Sequence, residues 1–226
     1  MILTAVALAP VIFLLIYVNK RDKYEKEPAS LLTKVFFLGI LIVIPVYFIE
    51  TALTDYWTRR YTAPDMQLHT AAYNAFAVAA FTEESFKILV FFIFIWNNKN
   101  FNEKFDGIIY AVFISLGFAA AENLMYVFGY GFTTGIVRAF TAVPAHAIFA
   151  VGSGYFLALA KFKPSLGFLY LPASFIFPVL MHGIYDFILT ADGTFLIYLF
   201  IPYVILILIT ALKIMKKHSD NSRFRK

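Results

Sequence analysis

Seven long apolar stretches within 226 residues leave this chain few folds other than a bundle of membrane-crossing helices. They run approximately over residues 2–18, 31–54, 70–96, 107–128, 136–160, 168–189 and 194–212. A hydrocarbon core of about 30 Å needs roughly 20 apolar residues in a helix, and these stretches approach or exceed that length. Inside the bilayer each backbone N–H and C=O must find a partner within the protein, so the crossing segments are expected to be helical. The connections are short, which predicts an all-α, polytopic transmembrane bundle of about seven spans forming a single domain over residues 1–226. Composition supports this: 61% of residues are hydrophobic and 15% charged, where a soluble domain carries about 25% charged. The 27 Phe and 14 Tyr suit lipid-facing surfaces and headgroup belts better than a soluble core.

The net charge of +5 is distributed as a topology signal rather than as a nucleic-acid footprint, and no nucleic-acid partner is expected. One set of loop flanks holds 15 Lys and Arg, from Lys20 and Arg21 to the basic tail at 213–226, whereas the other holds Arg59, Arg60 and Arg138. By the positive-inside rule the basic flanks and the C terminus are cytoplasmic and the N terminus lies outside. The first stretch is followed, not preceded, by positive charge and lacks a small-residue cleavage pattern, so it reads as a retained anchor. With no cysteine, the chain has no disulfides, thiolate metal ligands or cysteine nucleophile.

Against this apolar background seven ionisable groups stand out on four segments. The third segment contains Phe-Thr-Glu-Glu-Ser-Phe-Lys, with Glu83, Glu84 and Lys87 at mid-depth. Each isolated charge there costs about 2.5–3.5 kcal/mol, but Lys87 is one turn from both glutamates and can pair with them. The fourth segment carries Glu122 and Asn123, the fifth His146, and the sixth His182 and Asp186, four residues apart on one face. A lone Glu–Lys pair or a lone histidine in a membrane helix commonly serves as a brace or a packing residue. Seven such groups on four segments point instead to a functional cluster. On the topology above, all lie at mid-depth or in the outer half, where one pocket could collect them. Pro45, Pro144, Pro178 and Pro202 interrupt the helical pattern, two of them close before the histidines.

Several chemistries lack their parts. There is no His-Glu-x-x-His zinc helix, no Gly-x-Ser-x-Gly frame, and no Gly-x-Gly-Asp to complete an aspartate dyad with Asp186. What remains is a Glu/His/Asp set able to activate water: a carboxylate as general base, with histidines to orient water, stabilise an oxyanion or bind a metal. Proton- or cation-coupled transport would use the same buried carboxylates, although no inverted repeat is visible.

The order Glu83-Glu84-x-x-Lys87, Phe118-x-x-x-Glu122, His182-x-x-x-Asp186 resembles the three motifs of the PrsW family of bacterial membrane proteases. That family belongs to a wider group with the type II CAAX prenyl endopeptidases and bacteriocin-immunity-type proteins, some of them non-catalytic. The resemblance covers roughly residues 70–190, the expected catalytic core. It implies an endopeptidase of the bacterial cytoplasmic membrane that cuts a single-pass membrane protein, such as an anti-sigma factor, near its extracytoplasmic side. It further implies Glu83 as the base, Glu84 paired with Lys87, Glu122 holding water or metal, and His182 with Asp186 completing the site. Asn123 and His146 are expected to support it. No obligate metal is expected; zinc is the alternative, with Glu122, His146 and His182 as candidate ligands.

Overall fold

The computed structural model describes residues 1–61, 66–191, 194–222 and 224–225, and these form helices and turns without a strand. Arg223 and Lys226 of the basic tail lie outside the described residues. In chain order the elements are α1 (Ile2–Arg21), α2 (Ala29–Leu41), α3 (Val43–Thr58), α4 (Gln67–Ala72), a π-helix (Tyr73–Ala80) and α5 (Phe81–Phe94). They continue with α6 (Lys104–Tyr130), α7 (Phe132–Phe140), α8 (Ala142–Phe162), a 3-10 turn (Pro164–Leu166), α9 (Gly167–Thr190) and α10 (Thr194–Asp220).

Among the described residues, six helical stretches are long and apolar enough to cross a membrane: Ile2–Arg21, Ala29–Arg60, Lys104–Tyr130, Phe132–Phe162, Pro164–Thr190 and Phe195–Asp220. The third expected stretch is also helical, built from α4, the π-helix and α5, and it carries Glu83, Glu84 and Lys87. The most apolar windows of Lys104–Tyr130 and Phe132–Phe162 are 78% and 83% buried, against 11–28% in the other four. Hence α6 and α8 form the hub. The remaining helices wrap them and turn side chains such as Phe13, Phe48, Phe168, Tyr198 and Leu206 outward, as lipid-facing surfaces require.

Two of the prolines set where helices break. A proline ring clashes with the carbonyl four residues earlier. Pro45 accordingly ends α2 at Leu41, and Pro144 ends α7 at Phe140. The second break, at Thr141 (φ −121°, ψ −78°), separates α7 from α8, and both pack on α6. Pro178 and Pro202, by contrast, sit inside continuous helices.

The hub is tight where glycines meet backbone. A Cβ on Gly117 would lie 2.0 Å from the Phe36 carbonyl oxygen, and one on Gly39 would lie 2.1 Å from that of Ile114. Small residues allow this approach of α2 to α6. Gly117→Ala is therefore expected to destabilise the protein by about 3 kcal/mol through overpacking. Gly129→Ala, which meets nothing within 4 Å, should be close to neutral. Unfolding of both variants in mixed micelles would check this, and equal midpoints would contradict it.

At the end of the bundle bearing the basic flanks, the α1–α2 turn packs against the α5–α6 turn through buried acids. Asp106 Oδ2 accepts from the backbone N–H groups of Asn102 and Glu103 at 2.7 and 2.6 Å, capping α6. Asp22 Oδ2 accepts from the Glu27 N–H at 3.3 Å, and the Tyr110 hydroxyl donates to Glu27. Burial raises Asp22 to about 6. Burial, together with the neighbouring charges of Asp106 and Asp22, raises Glu27 to about 9. Unfolded, both acids titrate near 4, so the folded state binds protons more tightly. Its stability is then greatest at low pH and falls as pH climbs through 6 and on towards 9. Amide exchange over residues 22–28, corrected for intrinsic rate, is expected to be better protected at pH 6 than at pH 9. Glu27→Gln should flatten the upper part of that dependence; equal protection at both pH values would contradict it.

Candidate active site

The first turn of α5 presents Glu83 and Glu84, with Lys87 one turn on, and all three are buried. The Lys87 ammonium has three hydrogens and meets three acceptors: Glu83 Oε2 at 2.9 Å, Glu84 Oε1 at 2.7 Å and His146 Nδ1 of α8 at 3.3 Å. It also lies 4.5 Å from the Phe118 ring centroid on α6. The pairing expected within one helix thus reaches a second and a third.

His146 carries the network onward. Its Nε2 is 2.9 Å from Glu122 Oε2, so a ring that accepts from Lys87 at Nδ1 can donate to Glu122 at Nε2. Glu122 Oε2 is also 2.9 Å from Arg138 Nη2 of α7. On the other side, His182 of α9 sets Nδ1 3.2 Å from Glu84 Oε1 and Nε2 3.2 Å from Asp186 Oδ2. Phe149 stacks on the His182 ring at 5.2 Å and fixes its plane. Ser115 Oγ donates to the His146 carbonyl at 2.9 Å, tying α6 to α8 beside the site.

A cavity of about 390 Å³ opens among these helices, and Glu83, Glu122, His146, His182 and Asp186 all line it. The convergence expected from depth alone is therefore found. Glu84 and Lys87 face instead a much smaller crevice with Ser115 and Ser153. Asn123 does not line the cavity: its Nδ2 donates to the Ala7 carbonyl of α1 at 2.8 Å, while its Oδ1 accepts from Arg138 Nε at 2.9 Å. It braces the arginine that faces Glu122.

A second cavity, of about 750 Å³, lies between α3, the π-helix and α6, and shares Glu50, Asn74, Ala79, Glu83, Glu122 and Tyr126 with the first. Glu50 and Asn74 were not singled out in the sequence, and Arg138 only as a flank charge. Glu50 and Arg138 nevertheless carried the signal used for the others, a charged side chain in or at the edge of an apolar segment. Asn74 had no such signal, because its position follows from the π-helix, whose widened turns are common at functional sites.

One group of donors among the described residues has metal-ligand spacing. Glu83, Glu84 and His182 each offer an atom, all within 4.8 Å of one another and all buried. Two carboxylates and an imidazole suit zinc chemically. Of the ligand candidates named from the sequence only His182 belongs to this group; Glu122 and His146 pair with each other instead.

A family model described as PrsW family intramembrane metalloprotease matches residues 27–211. Among relatives, a Protease PrsW from Geobacillus kaustophilus is 38% identical over 84% of this chain and 80% of its own length. Proteins of the same name from Shouchella clausii and Bacillus subtilis are 35% and 34% identical, over 96% and 93% of this chain and 97% and 92% of theirs. No solved structure matches. With a site of buried glutamates and histidines set among membrane-length helices, and with relatives of this similarity along nearly the whole chain, the chain belongs to the PrsW family of intramembrane proteases, integral proteins of the bacterial membrane.

Proposed function

We propose that this protease hydrolyses a peptide bond of a single-pass membrane protein, of the anti-sigma factor kind, with water activated by Glu83. The observation that carries the reading is the cavity shared by Glu83, Glu122, His146, His182 and Asp186, from which Glu84 is turned away. In this reading Glu83 takes a proton from the attacking water while the water oxygen bonds to the scissile carbonyl carbon. The proton then passes to the departing amine as the C–N bond breaks. Lys87 holds Glu83 in place, and Glu84 balances the ammonium and steadies His182. His182, whose two ring nitrogens meet Glu84 and Asp186, lies beside Glu83 and completes the set around the water. Glu122, His146 and Arg138 form the polar wall that orients the water.

The donor set fits a metal. In a second reading, favoured by that triad and by the family's description, Glu83, Glu84 and His182 would hold zinc, which would polarise the scissile carbonyl. The two glutamates would then be ligands released from Lys87, in place of a base and a counter-charge. Hydrolysis in place of a proton or cation relay is favoured by membership in a protease family.

The segment Gln67–Phe94 is assigned as the seventh span, giving an N terminus outside, a basic cytoplasmic tail at 213–226 and a catalytic core over about 70–190 within one domain. The 15-to-3 division of Lys and Arg supports that orientation.

Reconstituted protein is expected to cleave a single-span reporter carrying an anti-sigma factor transmembrane segment, leaving the product's new terminus on the extracytoplasmic side. Dialysis against a chelator should reduce cleavage at least about tenfold, and zinc should restore it. Full activity after chelation would remove the metal from the reading, and no cleavage by the intact protein would remove the reading itself.

A further inference from the structure

We propose that Glu50 and Asn74 form a substrate subsite that accepts hydrogen bonds from the unwound backbone of a membrane-embedded peptide next to the scissile bond. The inference rests on the protease reading above and adds to it where the peptide chain lies.

A transmembrane substrate is helical, and its peptide bonds are shielded until a turn is unwound. Each residue freed in this way presents an N–H that the hydrocarbon cannot satisfy and that costs free energy until an acceptor is found. The larger cavity supplies the setting. Val43, Val46, Val78, Phe118 and Met125 give it apolar walls suited to substrate side chains. Glu83 and Glu122 stand where it joins the smaller cavity. Glu50 and Asn74 line both cavities, as Glu83 does, so a chain threaded towards Glu83 passes them.

Their hydrogen bonding is incomplete in the way a subsite requires. Glu50 Oε1 and Asn74 Oδ1 are both buried, and neither has a hydrogen-bond partner among the described residues. Of the buried side-chain atoms without a hydrogen-bond partner among the described residues, these two are the oxygens that belong to lining residues of the two cavities. Both belong to head groups with a broad terminal torsion, so a modest rotation turns either oxygen into the cavity. Asn74 is held there by the π-helix, which runs directly into the turn bearing Glu83. A local irregularity of the backbone therefore links the proposed subsite to the proposed base. Two buried acceptor oxygens that no donor among the described residues reaches match a ligand rich in N–H groups, and an unwound peptide is such a ligand.

The test uses full-length protein in liposomes and the single-span reporter described above, made fluorogenic. Glu50→Leu and Asn74→Leu are each expected to raise KM about five- to tenfold with kcat within about twofold, the pattern of lost uniform binding. Glu50→Gln keeps a carbonyl acceptor of the same shape and should stay within about twofold of the parent in KM. An ester replacing one amide of the reporter beside the scissile bond removes the N–H. It should weaken the parent protein by a similar factor but add little to Glu50→Leu or to Asn74→Leu, depending on which acceptor the N–H meets.

Binding is read separately by photo-crosslinking the reporter to the Glu83→Gln form, with and without the leucine changes. That readout persists even if the reporter is not cleaved, so failure of the protease reading is distinguishable from failure of the subsite. Loss of crosslinking with leucine and retention with glutamine supports the subsite. Unchanged KM and crosslinking in both leucine variants overturn it. So does a Glu50→Gln defect as large as that of Glu50→Leu, which would assign Glu50 a role through charge. A leucine variant that fails to accumulate is replaced by Glu50→Met or Asn74→Ala and judged by the same criteria.

Discussion

Glu83→Gln should lower reporter cleavage by about a thousandfold, in the middle of the range for loss of a general base, while leaving the protein folded in the membrane. The substitution keeps the volume of the side chain and one oxygen, so Lys87 retains an acceptor at this position and loses only the charge. An amide cannot take the proton of water, which makes the effect chemical rather than structural. Glu84→Gln is the internal comparison. It faces the small crevice, contacts Lys87 and His182, and should reduce cleavage by a much smaller factor, about tenfold. Initial rates at saturating reporter would check both. Equal losses from the two variants would refute the division of labour between adjacent glutamates, and residual cleavage near the parent rate in Glu83→Gln would remove Glu83 as the base.

The second large effect is on stability. Lys87 is the common partner of two buried carboxylates and a histidine, and Lys87→Met would leave both negative charges uncompensated in a low-dielectric interior. Removing one partner of a buried ion pair typically destabilises by about 3–5 kcal/mol, largely because the remaining charge is stranded. Two stranded charges place Lys87→Met at the upper end of that range. The combined Glu83→Gln, Glu84→Gln, Lys87→Met variant removes the charges together and should recover most of the loss, since a fully neutral cluster carries no desolvated ion. Unfolding midpoints in a constant micelle composition would measure both. If the single and triple variants unfold alike, desolvated charge is not the source of the instability.

The parts of this protein legible in its sequence are those set by local rules. The long helices follow from apolar length, the breaks before Pro45 and Pro144 from ring sterics, and the pairing of Lys87 with Glu83 and Glu84 from helical spacing. Convergence of Glu83, Glu122, His146, His182 and Asp186 on one cavity was legible in part, because the expected topology puts all of them at mid-depth or in the outer half of the bilayer. What escaped depends on azimuth. Depth does not say which way a helix is turned, so the brace formed by Asn123 and Arg138, the alliance of His182 with Glu84, and the cavity-facing positions of Glu50 and Asn74 all required the helices to be seen packed. The π-helix is the sharpest case, since an extra residue per turn rotates everything before it relative to the motif that follows.

The junction of the two cavities at Glu83 has a consequence for traffic through the molecule. Each chamber mixes polar and apolar walls: Arg138, Thr141, Asp186 and Thr190 stand beside Phe149 and Leu189 in one, and Thr51, Thr54 and Asp55 beside Val43, Val46 and Phe118 in the other. On the proposed assignment, water and peptide reach the carboxylate from two chambers that share Glu50, Asn74, Glu83 and Glu122. A long polypeptide lying in one chamber then leaves the other open for resupply of the hydrolytic molecule.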